Sequence, residues 1–338
     1  MTLPHPLCVK LRAIQRVDTD SDGIDTDSDA DSAVFDVDGA MSSVSVTSSV
    51  YNFVEEHGRT FHRYKQGKYW MPNDEREQER LDLQHVIFLK AFSDRLALAP
   101  IREPSRVLDF GTGTGAWAIE FALQHPGSSV LGTDLSPIQP EFVPPNCRFE
   151  IDDIEDEWVF SERFDYIHGR HMVGSISDFP ALFAAIHENL NPGGWLEMQD
   201  YYVNLQSVDG TLEGTALQRW SQMINRALSS TGRSGMRTVS YRRWMRDAGF
   251  EHVREHVFAV PGNPWARGAD QKQLGAMQME NILEGLHGFS MALFTKHLGM
   301  SPEAVEALLV DVRRDLVNTN IHFYYPVMAV YGRKPFHS

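Results

Sequence analysis

The chain has 338 residues, two cysteines, 42% hydrophobic residues and a formal charge of −15. That length admits one large domain or two smaller ones. The acidity argues against unaided binding to nucleic acid or an anionic membrane, and Cys8 and Cys147 alone exclude a disulfide framework or a Cys-rich zinc site. The N-terminal residues carry no apolar run of signal-peptide length, and no stretch approaches the ~18 uninterrupted apolar residues of a spanning helix. Cytoplasm or nucleus is the expected location.

Residues 1–48 differ from the rest: DTDSDGIDTDSDADS is acidic, poor in aromatics and internally repetitive. It has too little apolar surface to offset its ordering entropy and is expected to be disordered. Asp18, Asp20, Asp22 and Gly23 mimic the start of an EF-hand loop. Ile24 and Asp25 are then out of step, and Asp29 stands where the closing Glu should be, so the segment reads as a solvated tail. Thr26 and Ser28 each have an Asp three residues on, the pattern of an acid-directed kinase site.

Residues 49–104 read as a helical N-terminal lid. Asn73 is the expected N-cap of a helix with Asp74, Glu75 and Glu77 in its first turn. Leu81, His85, Phe88, Leu89 and Phe92 then recur at helical spacing. Ahead of that helix, GRTFHRYKQGKYW is aromatic and basic, suited to folding over a ligand or to a stapled surface segment.

From residue 105 onward, short apolar runs alternate with helical ones: RVLDF, AWAIEFALQHP, SSVLGTDL, CRFEID, FDYIHG, PALFAAIHENL and GWLEMQDY. That alternation predicts βαβ units and a doubly wound, Rossmann-like α/β domain over 105–338. YRRWMRDAGF ends a further helix, EHVREHVFAV and HFYYPVMAVYG read as strands, and a helical insertion is expected at about 264–320.

The chemistry centres on VLDFGTGTGAW, where a strand enters a glycine-rich turn and leaves as a helix. Backbone N–H groups and a helix N-terminus converge above such a turn, and glycine leaves room for a ligand to approach the backbone. Gly111, Gly113 and Ala116 also satisfy the dinucleotide pattern, so the glycines do not choose between NAD and S-adenosylmethionine (SAM). Asp109, two residues before the first glycine, favours SAM: a carboxylate there repels a pyrophosphate and holds the ammonium of a methionine moiety. Asp134 ends the next strand, where an acidic side chain can accept from both ribose hydroxyls. Leu135 would then pack on the adenine face. The third strand ends in Asp152, Asp153 and Ile154, with Asp153 placed for an adenine amino group and the Ile154 N–H for the ring.

These motifs, with Asn191-Pro192-Gly193-Gly194 before a strand, resemble the class I SAM-dependent methyltransferases, and among them the fungal LaeA-like, or TAM-domain, family. The closer resemblance rests on residues 72–85, 132–158 and 164–176, and spans about residues 50 to 335. It implies a seven-stranded sheet with a reversed last strand and SAM across the carboxyl ends of its first strands. It places Asp109, Gly111, Thr112 and Gly113 around the methionine part, Asp134 and Leu135 at the ribose and adenine, and Asp153 and Ile154 at the adenine edge. The His168–Arg170 backbone then lies near the methionine amine.

Methyl transfer from a sulfonium needs chiefly positioning and exclusion of water. A base is needed only if the acceptor must lose a proton. His171 is the candidate, against a packing role. No metal is expected, and no HExxH, P-loop or Gly-x-Ser-x-Gly elbow is present. Two functions stand: an enzyme methylating a small molecule in fungal secondary metabolism, and a LaeA-like regulator acting through protein partners.

Overall fold

The computed structural model describes residues 53–336. The acidic segment 1–48, with its EF-hand mimic and candidate phosphorylation sites, lies outside the described residues. The described residues open on a hairpin, β1 (Val54–Glu56) and β2 (Arg59–Phe61), where helix was expected. Helix α1 (Glu75–Ala91) follows, and its cap is Asp74 rather than Asn73: Asp74 accepts from the Glu77 N–H. Tertiary partners select between two adjacent capping residue types. Arg59 pairs with Asp74 through two hydrogen bonds, while Asn73 is held by Thr60.

The main sheet contains β3 (Arg106–Phe110), β4 (Ser129–Asp134), β5 (Cys147–Ile151), β6 (Phe164–Arg170), β7 (Leu190–Tyr201), β8 (Gln206–Ser207), β9 (Glu251–Pro261) and β10 (Phe323–Arg333). Its strand order is β5-β4-β3-β6-β7-β10, with β9 on the outer edge of β10. The first five run parallel, and β10 is antiparallel to both β7 and β9. This is the seven-stranded α/β sheet with a reversed last strand. The eighth strand, β8, is a two-residue piece pairing with the start of β10 opposite β9.

Helix α2 (Ala116–Gln124) covers one face through Trp117 and Phe121. On the other face, α3 (Phe179–Asn189) and α5 (Tyr241–Asp247) bury Phe179, Phe183, Ile186 and Tyr241 against Leu108, Phe110 and Ile167. Because β3 is covered on both faces, its residues 107–110 are all buried, and the strand is apolar there except for Asp109. A third core joins α1, α4 (Ala216–Ser230), α6 (Ala269–Leu298) and α7 (Pro302–Val317) to β10 through Phe88, Trp220, Leu286, Phe294, Leu309 and Phe323. The N-terminal helix and the C-terminal insertion thus form one helical roof beside the carboxyl ends of the strands. Among the described residues, no helix is long and apolar enough to cross a membrane.

Candidate functional site

The parallel register places Asp109 beside His168 on the neighbouring strand. Asp109 is 2% exposed, and both its oxygens are engaged: one with His168 Nδ1 at 2.7 Å, the other accepting from Thr112 Oγ1 at 2.6 Å. The His168 ring is fixed in turn by stacking on Trp117 at 3.8 Å. The turn that follows is left-handed at Gly111 (φ +64°), Gly113 (+58°) and Gly115 (+80°). At Gly111 the neighbour that excludes a side chain is protein, since a Cβ would lie 2.3 Å from Met172 Sδ. Close ligand approach is therefore not the only reason for that glycine. At Gly113 a Cβ would meet only Leu81, at 3.5 Å.

Asp134 lies beside the turn, but its carboxylate accepts from the Gly113 N–H at 2.8 Å and the Ser136 N–H at 2.9 Å. Burial raises its pKa above the usual carboxylate value. Leu135 is half-buried next to it. The two strand ends therefore brace each other, and a ribose would share an acceptor already in use.

Asp109, Gly111, Thr112 and Gly113 line one narrow cleft, together with Leu81 and Gln84 of α1 and with Arg170 and His171. Arg170 is the residue that sequence reasoning underrated, because only its backbone was expected to matter. Its guanidinium donates to His85 Nδ1 at 3.0 Å and lies 5.4 Å over the Phe88 ring, while Asp109 and Glu120 act on it only through space. Burial lowers its pKa to about 10. His85 Nε2 meets Glu120 at 2.8 Å, and burial lowers His85 to about 4, so its neutral ring donates to Glu120 and accepts from Arg170. A carboxylate and a guanidinium lining one cleft are the pair that holds a free amino acid's ammonium and carboxylate.

Asp153 and Ile154 do not line this cleft. Asp153 is 3% exposed and covered by the lid: Lys65 lies 2.9 Å away and Lys68 is also bonded to it. Burial works against its charge, but the two lysines hold its pKa below the usual range. Lys68 also pairs with Glu155 at 3.1 Å, and Lys65 with Asp156. The loop bearing them is clipped by His62, whose ring nitrogens meet the Tyr64 and Tyr69 carbonyls at 2.6 and 3.2 Å.

A second, larger cavity of about 140 Å³, against about 50 Å³ for the cleft, opens behind α1. The two share Leu81, Gln84 and His171. Tyr69 and Trp70 of the lid line it, with Trp220 of α4, Gln278 and Phe289 of α6 and Tyr325 of β10. His171 follows β6 directly and adopts φ +61°, a left-handed conformation unusual for its residue type. Its backbone N–H donates to the Gln199 carbonyl, and Asp200 anchors the next turn through the Val173 N–H at 3.0 Å. Its ring packs on Phe88 and Tyr201, and Nε2 is buried without a partner. Burial, then Arg170 and Arg80, hold its imidazole neutral, well below the ordinary histidine range.

Residues 83–255 match the model of a methyltransferase domain family. Methyltransferase pytC of Aspergillus terreus is 38% identical over 298 residues, covering 87% of this chain and 92% of that protein. Secondary metabolism regulator laeA of Aspergillus fumigatus is 35% identical over 305 residues, 87% of this chain and 81% of that protein. Protein-methionine methyltransferase laeA of Emericella nidulans is 34% identical over 291 residues, 84% and 77% respectively. The chain belongs to the class I SAM-dependent methyltransferases, in the LaeA-like family that holds these relatives.

Proposed function

We propose that this chain transfers the methyl group of SAM to a small-molecule acceptor bound in the cavity behind α1, within fungal secondary metabolism. The observation that carries the proposal is the shared wall of the two spaces: Leu81, Gln84 and His171 border both, so donor and acceptor would meet there. When bound, SAM supplies an electrophilic methyl carbon on a sulfonium. The chain's part is to hold the donor, aim the acceptor and exclude water.

In this reading Asp109 takes the methionine ammonium and Arg170 its carboxylate, above the turn formed by Gly111, Thr112 and Gly113. Asp134 and Leu135 take the ribose and adenine, and Asp153 and Ile154 the adenine edge. Because Lys65 and Lys68 cover Asp153, admitting the adenosyl part requires the lid segment to move. Calorimetric titration of the full chain with S-adenosylhomocysteine and with NAD tests the donor assignment. Binding of the first alone is expected, and binding of NAD alone would reject it.

A second reading, a regulator acting through protein partners, is favoured by the laeA relatives, which match over nearly the same span as pytC. Incubation with labelled SAM and host extract separates the two. Label on a metabolite supports the enzyme, and label on protein alone, with a stable partner complex, supports the regulator.

A further inference from the structure

The cavity behind α1 carries its own chemical signature. Its walls are mainly aromatic and aliphatic, with Gln84, Asn204, Ser221 and Gln278 among them, and none of its lining residues is a carboxylate. The one permanent cation among them, Arg80, is already neutralised: Glu77 receives two of its hydrogen bonds at 2.7 and 2.9 Å, and Gln84 and Asn281 accept the others. A charged ligand entering this space would lose its hydration and find no opposite charge in return.

Four lining residues keep buried polar atoms without partners: Trp70 Nε1, Gln278 Nε2, Tyr325 Oη and His171 Nε2. The Gln278 carbonyl is already used by the Tyr201 hydroxyl at 3.0 Å, which leaves its amide N–H groups free to donate. The Trp70 indole N–H can only donate. Leaving such groups unpaired in an apolar wall is costly, so their complement belongs on the ligand. Two obligatory donors call for oxygen acceptors. The neutral imidazole of His171, at the junction with the donor cleft, calls for a hydroxyl.

Building on the methyltransferase reading, we infer that the acceptor is an uncharged, flat, oxygen-bearing molecule of the phenol or enol class, and that its reacting hydroxyl donates to His171 Nε2. In the transfer, the hydroxyl O–H bond breaks and its proton passes to His171 Nε2. The oxygen lone pair forms the bond to the methyl carbon, and the carbon–sulfur bond breaks with its electron pair going to sulfur. His171 gains a positive charge as the sulfonium charge is lost, so the number of charges in this buried space is unchanged. That balance lets a histidine beside Arg170 and Arg80 accept a proton at all. The imidazolium then returns its proton to water.

The test uses the full chain saturated with S-adenosylhomocysteine. Three probes are titrated by quenching of Trp70 and Trp220 fluorescence: 2-naphthol, its methyl ether, and 2-naphthoate. The parent should bind 2-naphthol about tenfold more tightly than the ether, the worth of one hydrogen bond. Naphthoate should bind at least about 30-fold more weakly than naphthol, the cost of burying an unpaired charge. In His171→Asn, which tolerates the left-handed backbone but is too short to reach, the preference for naphthol over the ether should fall to about twofold or less. His171→Gly, which adopts φ +61° without strain and carries no imidazole, is compared by the same ratio and guards against a variant that fails to fold. Naphthoate binding as tightly as naphthol, absence of naphthol binding, or a preference that survives in both variants overturns the inference. Retained S-adenosylhomocysteine binding with any of those results removes this inference alone; loss of it in the parent removes the methyltransferase assignment beneath it.

Discussion

At the glycine-turn end of the cleft, Asp109 and His168 stand opposite each other on adjacent strands, and Arg170 follows two residues along. Their spacing is set by sheet register, and their orientation by partners that are themselves buried. At the Asp153 end, outside that cleft, the carboxylate is claimed by Lys65 and Lys68 of the lid loop. The first end is preorganised by the core and the second is closed by ion pairs. A donor that must span both would find one half of its site ready and the other half covered, so affinity should follow the first and access the second.

The largest effect is expected from Gly111→Val, which attacks the preorganised end. A β-branched residue at φ +64° is strained, and its Cβ would displace Met172 Sδ from 2.3 Å. Calorimetry should show S-adenosylhomocysteine affinity reduced by about 100-fold or more, the two penalties together exceeding ~3 kcal/mol. Affinity within tenfold of the parent would mean that the turn does not form the site.

Acidification reaches the same end through His85. Its folded pKa, about 4, lies below the ordinary 6.5. The stability it contributes is therefore complete above pH 6.5 and is lost as the pH falls from 6.5 toward 4. The slope for one such group reaches up to about 1.4 kcal/mol per pH unit. His85→Gln, which cannot titrate, should show a shallower fall in Tm across that window than the parent. Parallel curves would show that His85 does not titrate with folding.

Asp134→Ala should weaken S-adenosylhomocysteine binding by roughly 1–3 kcal/mol, the cost of unpaired polar groups. Part of that loss comes from the Gly113 and Ser136 N–H groups, which Asp134 holds in the structure itself. Unchanged affinity would withdraw Asp134 from the ribose.

The preorganised end was far more legible in sequence than the covered one, for a physical reason. Parallel strands buried on both faces read as apolar runs, and a turn that needs left-handed backbone three times within five residues spells itself in glycine. Hairpin β1–β2 escaped because three-residue strands are too short for an alternating pattern to emerge. Helix α4 carries a signal of its own in Leu217, Trp220, Ile224 and Leu228 at helical spacing. The guanidinium of Arg170 could not be assigned from its neighbours, since its partner His85 sits on α1. The cavity behind α1 is joined from the lid, α4, α6 and β10, and only tertiary packing brings Trp70, Trp220, Gln278 and Tyr325 together. Asp153 lies two residues beyond the end of β5, and no local pattern foretells Lys65 and Lys68 upon it.

The smallest and most discriminating effect is expected from Lys68→Ala, which attacks the covered end. Lys68 is partly buried and holds both Asp153 and Glu155, so its removal leaves Asp153 with Lys65 and the Glu155 N–H. If the lysines act as a latch, the lid should open more readily and S-adenosylhomocysteine should bind about two- to fivefold more tightly, in line with the ~1 kcal/mol of a partly exposed ion pair. The parent should approach the variant as salt is raised, because screening weakens the same contact. Calorimetry at two ionic strengths reads both expectations. Weaker binding in the variant at both salt concentrations would make Lys68 a ligand contact instead, and the Asp153 end would then be a second preorganised half-site rather than a closed one.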